Sequence, residues 1–510
     1  MEFGSDSSTS SSSVGKEVLG AVLERLGKSE AAQAVRTERA WREKYVNHFI
    51  EVQRALLESA DGCQIAAEYG LEQIYSHMHW NGRPLKDLVA KEAPEIEVGI
   101  IQGEGTHASF ELPVPIESAA TTATSSDYWG NIQRLTKPED IVTEVQRMVE
   151  KGMCEANVAD SIRALLQEGT SGLDLSDQWF VNLGACSEMG STKTLLSLGA
   201  NVVAIELARN TAGWASLSDF ARTTPGRLVF PVRDGIPGAD VVQDLDKLIW
   251  WIHERAVPQD KRIIVGSYLY LDGANFVRVA AASDALFARV LELRSNTILT
   301  TLCTPTEAFC VPSEAAAAGA TKFAARPIFE QVMGMVPGVL EPNVPEKVGK
   351  QGRLLQDCYT PEQGPNYAMA KLLQRFRSIA SGPHRVISNV APASLTKSVM
   401  SVTLVRVGIL GCERFGIIPF LPETANQLMT ALLLQEVRAL DNGTSRKVAL
   451  FDEHPMLSFQ QSSVHGGTWN AAFKTSSTTK VSVVVFGMNK LNSPKVQAAA
   501  LVGSVLASKL

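Results

Sequence analysis

The sequence predicts an α/β protein with a doubly wound, mainly parallel sheet, preceded by a mostly helical amino-terminal region. Three observations carry this. From Gln178 onward, short apolar runs alternate with helically spaced segments, as parallel strands buried on both faces and joined by crossover helices require. The first run, 179–183, passes directly into a turn bounded by Gly184 and Gly190, and a helical pattern follows at once. The second run ends on an acid, Glu206, about twenty residues after that turn begins.

Taken in order, the serine-rich stretch 5–13 cannot bury enough apolar surface to offset its ordering entropy, so 1–15 is expected to be a disordered tail. From 16 to 92 apolar residues recur at three and four, as in Val18, Leu19, Val22, Leu23 and Leu26, and a mostly helical region is expected over 16–175. Within it 97–102 reads as extended, 118–126 as a loop, and 138–150 and 157–167 as helices. The sheet domain is expected over 176–500, with strands at 179–183, 202–205, 228–231, 263–268, 297–302, 385–390 and 480–486. Helices are expected at 193–198 and 276–293, the segment 307–362 reads as an insertion, and 501–510 as a carboxy-terminal tail.

Composition bounds the function. A chain of 510 residues is long enough for a large core and for more than one domain. With 45% hydrophobic and 20% charged residues it is globular rather than disordered or fibrous. The net charge of -6, with no basic run, argues against a nucleic-acid partner, which needs a cationic surface to displace counterions. No apolar stretch is long enough for a membrane span: even 402–421 carries Arg406, Glu413 and Arg414. The seven cysteines form no CxxC pair, so reduced thiols are expected rather than a disulfide framework or a zinc ribbon, and no metal site is predicted. The sequence ends in Ser508, Lys509 and Leu510, the tripeptide that a peroxisomal import receptor reads, which predicts delivery to a peroxisome or glycosome-type organelle.

The chemistry-bearing residues cluster in the sheet domain. In Gly184-Ala-Cys-Ser-Glu-Met-Gly190, glycines let the backbone turn tightly and approach a pyrophosphate, and a helix amino end would face its charge. Glu206 is placed to accept bonds from both hydroxyls of an adenosine ribose. This combination predicts a Rossmann-like sheet. Further on, Tyr367 and Lys371 are four apart in a helical pattern, so one face carries both, and an ammonium near a phenol lowers its pKa. The next strand is followed by Asn389-Val-Ala-Pro392-Ala-Ser-Leu-Thr396.

On these motifs the chain resembles the short-chain dehydrogenase/reductase superfamily. Its glycine turn is similar to 184–190, its Tyr-x-x-x-Lys pair to Tyr367 and Lys371, and its Asn…Pro…Thr stretch to Asn389, Pro392 and Thr396. Asp244 falls in a stretch similar to the one where the family sets an acid beside the adenine. The departures are specific. Glu188 stands where the family has its middle glycine, Val265-Gly266-Ser-Tyr268 replaces Asn-Asn-Ala-Gly, and Leu354 lies at the spacing of the catalytic serine. The missing hydroxyl would come from Thr304 or Thr306 at the end of the fifth strand.

The resemblance implies an oxidoreductase that interconverts an alcohol and a carbonyl on a small organic substrate with NAD or NADP. Tyr367 would exchange the proton with the substrate oxygen, Lys371 would lower its pKa and hold the nicotinamide ribose, and Thr304 would assist. Gly184, Ser187, Gly190, Glu206, Asp244, Gly266, Pro392 and Thr396 would line the cofactor. Glu206 favours NAD by repelling a ribose phosphate, although Arg209 lies close enough in sequence to counter it. Two other classes use a glycine turn and a second-strand acid: an S-adenosylmethionine-dependent methyltransferase, which usually has an acid where Asn182 stands, and a noncatalytic nucleotide-binding or scaffold protein. His454 and His465 read as surface residues, Cys186 as a small filler, and the sequence is compatible with a homo-oligomer.

Overall fold

A computed structural model describes residues 1–4, 9–106, 109–115, 132–167, 169–170 and 173–489, the side chains of Leu404, Lys480 and 484–489 excepted. Ser508, Lys509, Leu510 and the expected loop 118–126 lie outside the described residues.

The chain is mixed α/β around a mostly parallel sheet of eight strands. Its antiparallel edge is β1 (Glu97–Gln102), and the parallel strands are β2 (Trp179–Leu183), β3 (Asn201–Ile205), β4 (Arg227–Arg233), β5 (Ile263–Ser267), β6 (Ile298–Cys303) and β7 (Val386–Val390). Hydrogen bonding orders the parallel strands β4-β3-β2-β5-β6-β7, with β1 pairing antiparallel to β4 and the short strand Ile236–Pro237 folding back on the end of β4. Chain progression therefore reverses direction between β2 and β5. All five residues of β2 are buried, as are all five of β5 and of β7, because helices cover both faces.

The period-two alternation of each strand sorts its side chains into two cores. Val181, Leu183, Val203, Val265 and Leu299 face one core, while Phe180, Val202, Ile264, Ile298 and Ile387 face the other. The first is closed by the amino-terminal helices α1 (Ser11–Arg25), α2 (Ser29–Thr37), α3 (Trp41–Leu57) and α4 (Ala60–His77), which pack over later helices of the sheet domain. The second is closed by helices that include α5 (Pro138–Glu150), α6 (Ala156–Leu165), α7 (Thr192–Ser197) and α8 (Thr211–Arg222). After α9 (Leu245–Trp251), the long α10 (Ala274–Leu293) connects β5 to β6. The segment 307–362 forms a three-stranded antiparallel sheet of Ala308–Val311, Glu346–Val348 and Arg353–Asp357, with α11 (Ser313–Ala324) and α12 (Ile328–Gly334) between its first two strands. The helix α13 (Pro365–Ser381) then leads to β7, and α14 (Lys397–Ser401), α15 (Thr403–Gly411), α16 (Pro422–Asp441), α17 (Arg446–Glu453) and α18 (Thr475–Asn489) follow.

Three expectations are corrected. The tail expected over 1–15 is partly ordered: Phe3 is buried under Arg278, and Ser11 opens α1. The serines supply a capping box, with Ser13 N–H donating to Ser10 Oγ at 3.1 Å and Ser10 N–H to Ser13 Oγ at 2.9 Å, and Val14 buries the first turn. The strand expected at 480–486 lies inside α18 instead. Its β-branched run favours an extended chain in isolation, but α18 docks against the end of α15, where Ser482 meets Cys412 at 3.2 Å, and packing decides. His454 and His465, expected at the surface, are buried within an irregular but closely packed segment.

The glycines that matter most here join layers. A β-carbon added at Gly70 of α4 would lie 2.5 Å from Phe376 Cε2 of α13, so the glycine is the seat for that ring. Beside it Arg375, fully buried, donates to Glu307 Oε2 at 3.0 Å, to Gln53 Oε1 of α3 at 2.6 Å and to the Ala308 carbonyl at 2.8 Å. Arg377 pairs in the same way with Asp284 of α10, which also accepts from Tyr75 of α4. A buried charge left without its partner costs several kcal/mol, so these bonds fix how the helical layer seats on α13.

Candidate functional site at the carboxyl edge of the sheet

Helix α13 begins at Gly364, whose positive φ of 86° turns the chain out of the preceding 3-10 turn, and Pro365 occupies the first helical position. This places Tyr367 in the first turn and Lys371 one turn later. The sheet delivers Thr304 beside them, one residue past β6. The Tyr367 phenol stands against Thr304, Thr304 Oγ1 lies 2.7 Å from Thr306 Oγ1, and Thr306 Oγ1 donates to Gln363 Oε1 at 2.6 Å. The three residues expected to be catalytic come together, and Thr306 and the Gln363 amide extend Thr304 into a chain of polar side chains.

Lys371 does not bond the phenol. Its Nζ donates to the Leu302 carbonyl at 2.8 Å and to Gln374 Oε1 at 3.2 Å, and it stands 5.9 Å from the centre of the Tyr367 ring and 5.9 Å from that of Phe276. Burial lowers the Lys371 pKa, opposed by Cys303 and Glu307. The phenol, expected to be lowered, is instead raised well above its ordinary value, with burial the largest cause and the Thr304 bond only partly opposing it. The desolvation comes from enclosure of the ring by Phe276 at 5.5 Å and Tyr270 at 6.3 Å, and the Lys371 ammonium does not offset it.

The glycine turn is built as a strand-to-helix corner, but its own groups close it. Gly184, at φ 77°, and Ala185 donate their N–H groups to the Ile205 carbonyl at 2.9 and 3.3 Å. Cys186 N–H donates to Glu206 Oε2 at 3.1 Å, Ser187 N–H to the Gly184 carbonyl at 3.0 Å, Met189 N–H to Ser187 Oγ at 3.3 Å, and Gly190 N–H to the Ser187 carbonyl at 3.0 Å. Glu188 accepts from Lys397 N–H at 2.8 Å. Above the turn, the strand-end segment 268–272 occupies the reversal point: a β-carbon on Gly184 would lie 3.0 Å from Leu269 Cδ2 and 3.2 Å from its backbone nitrogen. Tyr268 N–H donates to the Leu183 carbonyl at 2.9 Å, and its hydroxyl lies 2.9 Å from Ser191 Oγ. The turn in this conformation does not fit a pyrophosphate, since six of its seven amides, all but that of Glu188, are spent and Leu269 fills the approach.

The remaining expected cofactor residues have internal roles. Glu206 comes to the turn as expected, but its carboxylate accepts from Cys186 and Leu207 N–H, both at 3.1 Å, rather than facing an open ribose site. Asp244 starts α9 without capping it, and instead accepts from Arg233 at 3.0 Å and from Asp240 N–H at 3.0 Å. Gly266 is where the Tyr268 ring folds back, 2.8 Å from an added β-carbon. Pro392 is buried, its carbonyl accepting from Ser394 Oγ at 3.0 Å, and Thr396 precedes α14 with its hydroxyl 3.0 Å from that of Ser398. Lys397 N–H on Glu188 still ties this loop to the glycine turn. Cys186 fits the filler reading, its thiol pushed up to about 12 by burial and the Glu206 carboxylate.

Sequence reasoning missed several groups. Lys447 is buried and donates to the carbonyls of Ser388 at 3.0 Å, Ser458 at 3.1 Å and Gln461 at 2.8 Å. His465 stacks on Trp469 at 4.9 Å with its Nε2 3.1 Å from Glu155. A cleft of about 620 Å³ also opens on Tyr367, between α3, the loop after β5 and the start of α13. None carries a motif, since each depends on segments distant in sequence. Among the described residues no helix is long and apolar enough to cross a membrane, and no group of three or more His, Cys, Asp or Glu residues is placed to hold a metal ion. No family model matches the chain, and no curated protein or solved structure matches it.

Proposed function

We propose that the chain is an oxidoreductase of Rossmann-like, short-chain dehydrogenase/reductase type that interconverts an alcohol and a carbonyl on a small organic substrate. The observation that carries this reading is the meeting of Tyr367 with Thr304 and Lys371 at the carboxyl end of β6. Strand order supports it: the parallel strands run third, second, first, fourth, fifth, sixth, the order of dinucleotide-binding sheets, whose ligands lie where the order reverses. A phenol held protonated by burial is suited to donate to a carbonyl oxygen as that oxygen gains charge, and to take the proton back in the alcohol direction. Thr304 orients the phenol, and Lys371 ties α13 to the end of β6 through the Leu302 carbonyl.

A nicotinamide cofactor supplies the hydride when bound. Its entry requires 268–272 to withdraw from the glycine turn. The preference for NAD over NADP rests on Glu206 leaving the Cys186 and Leu207 N–H groups as the turn opens, where its carboxylate would repel a ribose phosphate. A second reading is a noncatalytic nucleotide-binding or scaffold protein, and the closure of that turn over Gly184 supports its scaffold form. The methyltransferase reading has less support, since Asn182 stands at the position of the acid and is spent on Ser191 at 3.2 Å and Thr192 at 2.9 Å.

Thermal-shift measurements with NADH, NADPH and S-adenosylmethionine separate the three. Stabilisation by NADH, and more weakly by NADPH, is expected. A response to S-adenosylmethionine alone sinks the oxidoreductase, and no response to any of them supports the scaffold. We also propose peroxisomal or glycosomal delivery through Ser508, Lys509 and Leu510, tested by imaging a fluorescent fusion at the amino terminus with and without Leu510.

A further inference from the structure

The cleft that opens on Tyr367 has a chemical character of its own. Its wall is apolar and aromatic on the side of the sheet domain, where Tyr270 and Leu271 stay half-exposed beside the buried Phe276. Its other wall comes from the helical layer and presents donors. Arg39 and Arg42 both line it, and neither forms an ion pair among the described residues. Arg42 is held by backbone alone, its guanidinium packed against Gly364 and reaching the Glu362 carbonyl at 3.4 Å. Trp41, only 8% exposed, also lines the cleft. Asn366 and Tyr367, in the uncapped first turn of α13, add backbone N–H groups with no acceptor among the described residues. Glu43 is the one acid on the wall, against two arginines.

We propose that this cleft binds small molecules with an anionic head, a carboxylate or a phosphate, joined to an apolar body, with the head on Arg39 and Arg42 and the body against Tyr270, Leu271 and Phe276. Guanidinium groups that no protein carboxylate satisfies bind such heads by charge-assisted hydrogen bonds. That the ligand is the substrate rests on Tyr367 being the reactive group; that the cleft binds it does not.

The test is titration calorimetry of the full-length protein with hexanoate, hexyl phosphate, hexanol and hexylamine, for the wild type, Arg39→Gln and Arg42→Gln. Saturable binding of hexanoate or hexyl phosphate is expected, with hexanol and hexylamine at least about tenfold weaker, and preference between the two anions identifies the head group. Each arginine substitution, on an exposed side chain, is expected to weaken the anion about fivefold or more while leaving the unfolding temperature in place. Equal binding of hexanol, binding untouched by both substitutions, or no binding by any of the four overturns the assignment. Anion binding without any response to NADH or NADPH leaves the cleft assigned and removes the oxidoreductase reading alone.

Discussion

Leu269 stands on Gly184, side chain and backbone together, at the point where the strand order of the sheet reverses. The contact closes the place where a dinucleotide phosphate would enter. Leu269→Ala is therefore expected to raise affinity for NADH about tenfold, read by nucleotide fluorescence titration. The same change costs about 1–2 kcal/mol of stability, because Leu269 is only partly buried. A variant that loses that stability and still ignores NADH speaks for the scaffold.

Tyr367→Phe removes the phenol hydroxyl that stands against Thr304, itself joined to Thr306 and Gln363. Turnover of whichever carbonyl substrate a screen yields is expected to fall by about two to four orders of magnitude, with KM nearly unchanged. Thr304→Val keeps the volume and breaks the chain, and a smaller loss in kcat is expected from it. If Tyr367→Phe retains full activity, the phenol is not the acid.

His454 is buried, and burial, helped by the charge of Arg353, lowers its pKa from 6.5 to about 4. On acidification the unfolded chain takes up this proton first, so the stability His454 provides is present above about pH 6.5 and is lost as pH falls toward about 4. His454→Asn keeps an acceptor for Met456 N–H, which His454 Nδ1 now receives at 3.2 Å, and removes the titration. The acid slope of Tm between those pH values is expected to be shallower in the variant.

Lys447 works in the opposite part of the pH scale. Burial pulls its pKa from 10.5 down to about 8, so between these values the unfolded chain holds the proton that the folded chain has released. Stability from this group accordingly rises with pH across that window. Lys447→Met leaves the Ser388, Ser458 and Gln461 carbonyls without their donor and is expected to cost roughly 3 kcal/mol at neutral pH in urea unfolding. The gap between wild type and variant should widen from pH 8 to pH 10.5.

Gly70→Ala adds a β-carbon within 2.5 Å of the Phe376 ring. A loss of roughly 1–3 kcal/mol is expected in chemical denaturation. A silent substitution would mean that α4 and α13 slide past one another freely.

The parallel strands were legible because burial on both faces leaves a continuous apolar run, and 179–183 and 263–268 show this plainly. The stretch 480–486 has the same look, and only its partner α15 makes it helical, which periodicity cannot reveal. Serine-rich composition hid α1 because a capping box depends on which serine precedes which, not on how many there are. At the site, the four-residue spacing of Tyr367 and Lys371 and the strand-end position of Thr304 were readable. The lid of Leu269 over Gly184, the Arg39 and Arg42 wall and the burial of His454 and His465 were not, since each arises from chain segments far apart in sequence.

The seating of Phe376 in Gly70, and of Arg375 on Gln53, has a practical consequence for dissecting the molecule. A fragment beginning at the first parallel strand would carry the Tyr367 helix with its outer side stripped, a wet aromatic ring and an orphaned guanidinium where a neighbour had been. Assays on such a truncation would measure a different object, and activity lost there would say nothing about which half performs the chemistry.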